Sequence, residues 1–505
     1  MPAHPDRFAH APSRRDCLRQ AAALSFAALP GMAGAAGRNA VVLSLSLAPD
    51  SLDPTMAAAS AVGEVSHYNI FEGLTRIEED GQVAPLLARS WSLSPDQRSW
   101  RFDLRRGVRF HDGKPLTAQV VRASFERCAA PGSTNKARRA VFDNIATIAT
   151  PDEHTVVLTL HHRDPDLPFR LGEATACILH PDSAAHAATR PVGTGPYRLA
   201  QWSALGGVVL TRTGSWHPAQ HAPLAQATFR FIADPAEQEA ALAAGEVDLL
   251  FQFATRVVRR FQDDRHYQVL IGHSCGKGML ALNHRRAPLN DVRVRQAITH
   301  AIDREGFIRE VLDGRGSAIG SHFAPTDPGF LHLDSLLPYD PARARALLRE
   351  AGVRTPLRLN LALPPAPYAL SGGDRLAANL ADVGIDAPLQ RLDWKTWLDG
   401  PFKGDFDMTL INHVEPLDYR IYTDPSYYFG VDDPVFRSLV QQHDRTPSPR
   451  ERQRLWAQMQ RRLAETAANA WIFTPQIGTV VRKGLRGVWM NYPIFAHDIG
   501  AMSWE

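Results

Sequence analysis

The sequence predicts an α/β protein of more than one domain. Its 505 residues, of which 44% are hydrophobic and 22% charged, are enough for two or three domains with sizeable cores. Runs with the period-2 pattern of strands alternate along the chain with helices that begin at capping residues. Beyond the first 37 residues, no apolar stretch approaches the ~18 residues that a membrane span needs. We therefore expect a soluble mature chain.

The first 37 residues are typical of an export signal. Residues 13–19, Ser-Arg-Arg-Asp-Cys-Leu-Arg, are similar to the twin-arginine consensus, and an Ala-rich apolar run follows at 21–32. Residues 33–35 supply the small side chains that a signal peptidase requires. An ordinary secretory signal that contains two arginines is the alternative, and both predict a mature protein outside the cytoplasm. The formal net charge of +3 gives no electrostatic case for a nucleic-acid partner.

Residues 89–125 carry the strongest local pattern in the chain. Apolar and polar side chains alternate over residues 100–110, interrupted by an Arg-Arg-Gly turn, as half-buried strands require. The Asp-Gly pair at 112–113 favours a tight turn, and Thr117 can cap a helix that ends near Cys128. The pattern predicts strand, turn, strand, tight turn and helix.

The other predicted elements follow in chain order. Strands are predicted at residues 40–47, 155–160, 207–211, 246–250, 267–271 and 276–283. A short helix is predicted over 66–74 because Gly73 can end it. Further helices are predicted to begin at capping residues, namely Asp234, Asn290 or Asp291, Asp303, Asp340 and Ser448.

Residues 89–125 closely resemble the hallmark block of the family-5 solute-binding proteins, the peptide- and nickel-binding receptors of bacterial ABC importers. Other stretches are similar to the same family, including Gly-Thr-Gly-Pro-Tyr at 193–197, Arg-Gln-Ala-Ile at 295–298 and the helix at 340–352. The resemblance covers residues 41–487.

This resemblance implies a two-lobed periplasmic-binding-protein fold of type II with an extra small α+β domain. The implied domains are an export signal at 1–37, lobe I at 38–82 plus 192–276 plus 477–505, a small accessory domain at 83–191, and lobe II at 277–476. It also implies a monomeric periplasmic receptor without enzymatic activity, cofactor or resident metal. Such a receptor closes on a small solute, first of all a peptide, and delivers it to the permease and ATPase subunits of an inner-membrane ABC transporter.

The resemblance further implies where the ligand binds. In the family, the segment after a Gly-Asp-Phe-Asp strand supplies much of the pocket, and that strand here begins at 404–407. Asp418 aligns with the carboxylate that peptide receptors use for the amino terminus of the ligand. Arg420 beside it could hold a carboxylate in two parallel bonds. Together they suit a zwitterion, whereas a simple ion pair between the two is the alternative.

Three more residues complete the candidate site. Tyr419 and His413 lie in the same segment, and Arg138 aligns with an arginine that nickel receptors use for the carboxylate of a chelator. No histidine occurs between His413 and His443, so we do not expect direct nickel ligation. A metal chelate or an opine-like amino acid conjugate remains the alternative ligand within the family.

Residues 272–276, Gly-His-Ser-Cys-Gly, indicate an alternative function of a different class. They match the Gly-x-Ser-x-Gly nucleophile elbow, so a secreted serine hydrolase that uses Ser274 is the alternative. An elbow must enter a helix, whereas the residues that follow predict a strand. The cysteines after the signal, Cys128, Cys177 and Cys275, allow at most one disulfide and match no zinc pattern.

Overall fold

The structure is a computed structural model. It describes most of the chain, namely residues 38–57, 59–203, 207–214, 222–252 and 255–505. The predicted export signal lies outside the described residues. In the described part of the chain, no helix combines the length and the apolar character that crossing a bilayer requires.

The described residues form twenty-two strands. They are β1 Ala40–Leu45, β2 Thr75–Ile77, β3 Val83–Pro85, β4 Ala88–Leu93, β5 Ser99–Leu104, β6 Ile145–Asp152, β7 Thr155–Leu160, β8 Tyr197–Ser203, β9 Gly207–Arg212, β10 Gln226–Phe231, β11 Leu249–Gln252, β12 Tyr267–His273, β13 Lys277–Leu282, β14 Gly316–Ala318, β15 Leu357–Arg358, β16 Leu361–Leu363, β17 Ile385–Asp386, β18 Leu389–Arg391, β19 Met408–His413, β20 Ala470–Arg482, β21 Leu485–Arg486 and β22 Ser503–Trp504.

Thirteen α-helices accompany them in the same described residues. They are α1 Ser60–Ser66, α2 Ala118–Ala129, α3 Leu167–Arg170, α4 Pro181–Ala184, α5 Pro235–Ala243, α6 Thr255–Phe261, α7 Val292–Ala301, α8 Arg304–Val311, α9 Pro341–Glu350, α10 Pro367–Ala381, α11 Trp394–Asp399, α12 Pro434–Arg445 and α13 Pro449–Glu465. Short 3₁₀ turns include Ala174–Ala176 and Tyr419–Thr423.

One mixed twelve-stranded sheet organises the architecture, and the long strand β20 runs through both of its halves. The amino-terminal part of β20 pairs with β13 and β14, and its carboxyl-terminal part pairs with β11 and β12. A second crossing lies beside it, where β12 ends at His273 and β13 begins at Lys277. The two halves are therefore joined by adjacent extended segments, the connection that a hinged pair of lobes needs.

Each half of the sheet mixes parallel and antiparallel pairs. In one half β1 runs parallel to both β10 and β11, and β9 and β8 continue the sheet in antiparallel pairs. In the other half β16 runs parallel to β18 and β19, while β13 is antiparallel to β19. All six residues of β13 are buried, since strands and helices cover this part of the sheet on both sides. This mixed arrangement confirms the predicted α/β class.

A separate antiparallel sheet with the order β4-β5-β7-β6 lies within the predicted accessory domain, which is called the small domain below. Helix α2 packs on it, and Thr117 caps this helix by accepting a hydrogen bond from the Val120 N–H at 3.3 Å, as predicted. The second strand of the predicted meander is reduced to one bridge between Arg109 and Pro115. The N–H groups of Phe110 and Leu116 donate to the carbonyls of Lys114 and Val108 on either side of this bridge, at 2.8 and 3.0 Å.

The helix caps predicted in the remainder of the chain are confirmed. A side-chain oxygen accepts a backbone N–H at the start of α5, α7, α8, α9 and α13, and the capping residues are Asp234, Asp291, Asp303, Asp340 and Ser448. These signals are local, because each needs only the cap and the next three residues.

The prediction of a helix at 66–74 is wrong. Helix α1 ends at Ser66, and the residues after it form an irregular loop in which Tyr68 has φ +65°. Carbonyl groups of this loop accept hydrogen bonds from the backbone N–H groups of Gly195 and Tyr197, both at 2.9 Å. A helix would need those carbonyls for itself, so the long-range pairing excludes it.

The close approach of that loop makes Gly193 sensitive to substitution. A Cβ atom on Gly193 would lie 1.8 Å from the carbonyl oxygen of Ile70, a backbone atom that cannot rotate away. We expect Gly193→Ala to lower the free energy of unfolding by about 3 kcal/mol, as measured by urea denaturation. Gly132→Ala is the matched control, because a Cβ there meets nothing within 4 Å and should change stability by less than about 0.5 kcal/mol. Equal effects of the two substitutions would contradict the close approach.

Candidate ligand-binding cavity

A cavity of about 680 Å³ is lined by five separate segments of the chain. One wall comes from residues 54–67, including α1, and a second from the turns at 136–141 and 170–175 in the small domain. The third wall is the segment 414–427 that follows β19, and residues 494–495 also line the cavity. The volume suits a small solute of a few amino acids or a comparable size.

The predicted segment after β19 contributes Asp418 and Arg420 to this cavity wall. The two side chains do not pair with each other, so the simple ion pair considered above is not formed. Each has a different protein partner, and these partners decide what the two groups can offer to a ligand.

Asp418 is the centre of a buried polar network. Lys277 Nζ donates to Asp418 Oδ1 at 2.9 Å, and His322 Nε2 lies 2.8 Å from the same oxygen. His413 Nδ1 lies 3.3 Å from Asp418 Oδ2. The network continues to the hydroxyl of Tyr422, which lies 3.0 Å from His322 Nδ1. The carboxylate is therefore neutralised by a cation of the protein itself.

The strand register explains why the sequence brings these groups together. Lys277 at the start of β13 lies directly opposite His413 at the end of β19. The chain leaves the sheet after His413 and turns, so that Asp418 lies next to Lys277 and His413. Lys277 and His322 are fully buried and were not found by sequence reasoning. The only local signal was a lysine at the head of the otherwise apolar run 277–282.

Burial and charge act against each other in this network. Burial would raise the pKa of Asp418, yet His322 and Lys277 hold that pKa well below its usual value. Burial lowers the pKa of His322 to about 4, against the pull of Asp418. Although burial lowers the pKa of Lys277, the neighbouring Asp418 and Asp327 raise it above the ordinary value. The pair of Lys277 and Asp418 is thus ionised at neutral pH, with a neutral imidazole beside it.

The same network contains the one group of possible metal ligands in the described residues. Ligand atoms of His322, His413 and Asp418 lie within 4.8 Å of one another. Metal binding would put an ion next to the ammonium group of Lys277, which already occupies the carboxylate. Both nitrogens of His322 also have hydrogen-bond partners. The donor set therefore fits an internal network better than a metal ion, and the absence of a resident metal stays a prediction.

Arg420 and Tyr419 connect the segment to two other parts of the chain. The guanidinium of Arg420 donates two parallel hydrogen bonds, at 2.8 and 2.7 Å, to the carboxylate of Asp444. Asp164 of the small domain lies 3.6 Å from the same group. Tyr419 is fully buried, and its hydroxyl donates to Asp166 of the small domain at 2.7 Å. The two-bond geometry expected at Arg420 is present, with a protein carboxylate in the place of a ligand.

The other predicted site residues lie away from the cavity surface. His413 is 7% exposed and lies behind Asp418, with Nε2 2.9 Å from the hydroxyl of Tyr428. Arg138 is held by the carbonyl of Pro131 and by Asp143. Neither His413, Tyr419 nor Arg138 is among the residues that line the cavity. Whether any of the five binds ligand stays a prediction.

Several polar groups that the sequence did not indicate do line the cavity. Glu173 and Lys136 of the small domain face it, and neither side chain has a hydrogen bond or ion pair with a described residue. Arg170 also faces it, with only its Nε bonded, to Asp164 at 3.1 Å. His67 at the end of α1 is fully buried, and both of its ring nitrogens lack a partner among the described residues.

The residues that match a nucleophile elbow have another role. Ser274 is 1% exposed, and its hydroxyl donates to the carbonyl of Pro475 at 2.8 Å, across the two crossings between the sheet halves. The chain continues into β13 and not into a helix. The geometry gives the serine hydrolase alternative no support. Cys128, Cys177 and Cys275 are buried and unpaired.

Comparison with known proteins identifies the family. The model of the bacterial extracellular solute-binding proteins, family 5 Middle, matches residues 82–429. The chain belongs to this family. Membership confirms the resemblance found in the sequence, and it means that the relatives of this chain are binding proteins and not enzymes. The predicted two-lobed fold class is confirmed as well.

Individual relatives match between about two thirds and nine tenths of the chain. Di/tripeptide-binding protein 1 of Pseudomonas aeruginosa (strain UCBPP-PA14) is 25% identical and covers 92% of this chain and 96% of its own length. The nickel-binding periplasmic protein of Escherichia coli (strain K12) is 28% identical over 63% of this chain and 61% of its own. The solved structure of AgaA from A. tumefaciens R10, in complex with agropinic acid, matches with a TM-score of 0.77 at 24% identity, covering 92% of this chain and 99% of AgaA.

Proposed function

We propose that the protein is a periplasmic receptor that captures peptides, or a similar small zwitterionic solute, for an inner-membrane ABC transporter. The observation that carries this proposal is the cavity, whose lining includes an acidic and a basic residue without an ion pair to a described residue, Glu173 and Lys136. A peptide has an ammonium and a carboxylate at its ends, so a wall with both charges complements it. Di/tripeptide-binding protein 1, which aligns over nearly the full chain, supports the same ligand class.

The proposed mechanism is closure of two lobes around the solute. Lobe I comprises residues 38–82, 192–276 and 477–505, lobe II comprises 277–476, and the accessory domain comprises 83–191. The crossings near Ser274 and Pro475 serve as the hinge. Solute bound in the cavity contacts all three parts, so it shifts the population towards the closed form that the permease and ATPase subunits recognise. The receptor acts as a monomer, exported by the signal at residues 1–37.

A metal chelate is the second candidate ligand. The nickel-binding relative supports it, because that protein shares 28% identity with this chain. A chelate would present its acid groups to Lys136 and Arg170 and would leave the network of Asp418 intact. Free Ni²⁺ would have no comparable site, because Lys277 already pairs with the carboxylate of Asp418.

Ligand-dependent stabilisation tests the proposal. Full-length protein purified from the periplasm is first analysed by native mass spectrometry for a bound small molecule. It is then screened by thermal shift against a panel of unblocked dipeptides, against free Ni²⁺ and against the Ni²⁺ complex of histidine. We expect stabilisation by dipeptides of about 3 kcal/mol at a hundredfold excess over the dissociation constant, and none by free Ni²⁺. Stabilisation by the Ni²⁺ complex alone would favour the chelate, and stabilisation by none of them would contradict both ligand classes.

A further inference from the structure

Two carboxylates on the cavity wall differ in whether a protein group already binds them. Asp418 already accepts from the buried Lys277 and lies against two histidines. Glu173 lines the same cavity, is only partly exposed, and has no hydrogen bond or ion pair with any described residue. An incoming ammonium group would have to compete with Lys277 at Asp418, whereas at Glu173 it would meet a carboxylate that no ion pair with a described residue already holds.

The position of Glu173 is fixed by the backbone around it. Its N–H donates to the carbonyl of Arg170, and its own carbonyl accepts from the N–H of Ala176 within the turn that follows α3. Both backbone groups are therefore hydrogen-bonded within the turn, which fixes the place of Glu173 in the cavity wall.

Donors for a ligand carboxylate line the same cavity. The terminal nitrogens of Arg170 have no partner among the described residues, since only Nε bonds to Asp164. Lys136 is exposed to the cavity without a counter-ion. His67, directly after α1, also lines the cavity and is fully buried, and neither of its ring nitrogens has a partner among the described residues.

We propose that Glu173, and not Asp418, is the carboxylate that receives the ammonium group of the ligand, while Lys136 and Arg170 receive its carboxylate. The ligand class is then an unblocked peptide or amino acid derivative that retains a free amine. This inference rests on the proposed function, because it assigns roles within the same cavity. Asp418 and Lys277 form the internal support of the cavity wall.

The proposal makes ligand affinity depend on pH near neutrality. Burial raises the pKa of Glu173 to about 7, while the positive groups of Arg170 and Lys136 lower it and the carboxylates of Glu415 and Asp418 raise it. Only the ionised carboxylate attracts an ammonium group, so affinity should fall as Glu173 becomes protonated. Binding in turn favours the ionised form, so the protein releases a proton when it binds a free amine near pH 7.

Isothermal titration calorimetry with the unblocked dipeptide panel, and with the same dipeptides N-acetylated, tests the assignment. The full-chain protein is compared with Glu173→Gln, which keeps the shape and removes the charge. Glu305→Gln is the matched control, because Glu305 is exposed on α8 and far in sequence from every cavity segment. We expect Glu173→Gln to weaken binding of unblocked dipeptides about 10- to 100-fold and Glu305→Gln to leave it unchanged.

Proton linkage separates a direct role from a structural one. For the wild type we expect affinity to fall about tenfold between pH 7.5 and 5.5, and this pH dependence should be lost in Glu173→Gln. At pH 7 the wild type should release about 0.5 proton more than Glu173→Gln, measured in buffers of different ionisation enthalpy. N-acetylation of the dipeptide should cost the wild type more affinity than it costs the variant.

Each outcome has a distinct meaning. If the wild type binds dipeptides and Glu173→Gln binds them equally well, with the same pH dependence, the assignment of Glu173 is wrong and the proposed function stands. If the affinity of the wild type rises on acidification, Glu173 acts as a neutral donor to an acid, which also overturns the assignment. If the wild type binds no dipeptide at all, the proposed ligand class fails and this inference fails with it.

Discussion

Replacing Lys277 by methionine is expected to lower the free energy of unfolding by about 3–5 kcal/mol, the cost of leaving a buried charge without its partner. The ammonium group is fully buried and donates to Asp418 at 2.9 Å and to the carbonyl of Glu415 at 2.5 Å. Methionine has a similar volume, so the packing of β13 is largely kept while Asp418 remains charged inside the protein. Urea denaturation of the ligand-free protein at pH 7 measures the change.

Two further variants make this prediction specific. The double variant Lys277→Met with Asp418→Asn removes both charges, so it should lose less stability than the sum of the two single variants. Lys395→Met is the control, because Lys395 is 87% exposed in its ion pair with Asp399 and should contribute less than about 1 kcal/mol. A loss at Lys277 as small as that at Lys395 would mean that the network around Asp418 does not form.

Acidification is the second condition with a large expected effect, since the free energy of unfolding should fall by about 3 kcal/mol between pH 6.5 and 4.5. Burial lowers the pKa of four histidines, to about 3 or about 4, and these are His67, His284, His322 and His497. In the unfolded chain the same histidines take up protons near pH 6.5. Below that pH the unfolded state binds more protons than the native state, so stability decreases as the pH falls.

Three buried carboxyl groups act in the opposite direction. Burial raises the pKa of Glu64 and Glu173 to about 7 and that of Asp327 to about 6. These groups are protonated in the native state at pH values where the unfolded chain has released its protons, so they favour the native state at low pH. They offset most of the effect of the histidines near pH 6.5, and a decreasing share of it as the pH falls further. We therefore expect a stability maximum near neutral pH and a steep loss towards pH 4.5.

A single histidine variant tests the cause of the acid sensitivity. His497 is buried among Phe251, Tyr492 and Phe229, and neither of its ring nitrogens has a partner among the described residues. His497→Leu should reduce the pH slope of stability by up to one proton, about 1.4 kcal/mol per pH unit. The exposed His161 serves as the control, and His161→Gln should leave the slope unchanged. An unchanged slope in His497→Leu would show that this histidine is protonated in the folded protein.

The amino-acid sequence by itself determined the family, the fold class and the starts of six of the thirteen described helices. The pattern at residues 89–125 and the caps at Asp234, Asp340 and Ser448 are local, because a few neighbouring residues contain all the interactions that form them. The sequence also indicated that the segment after β19 borders the cavity. Asp418 and Arg420 lie there because β19 ends at that edge of the sheet.

Only the tertiary structure decided what those side chains do. Lys277 and His322 meet Asp418 from 141 and 96 residues away, and Glu173 comes from a different domain segment. Residues 67–73 do not form the predicted helix for the same kind of reason. The carbonyls of Ile70 and Asn69 accept hydrogen bonds from the backbone N–H groups of Gly195 and Tyr197. A sequence pattern records which residues are neighbours along the chain, whereas the partner of a buried charge depends on strand register and on how distant segments pack.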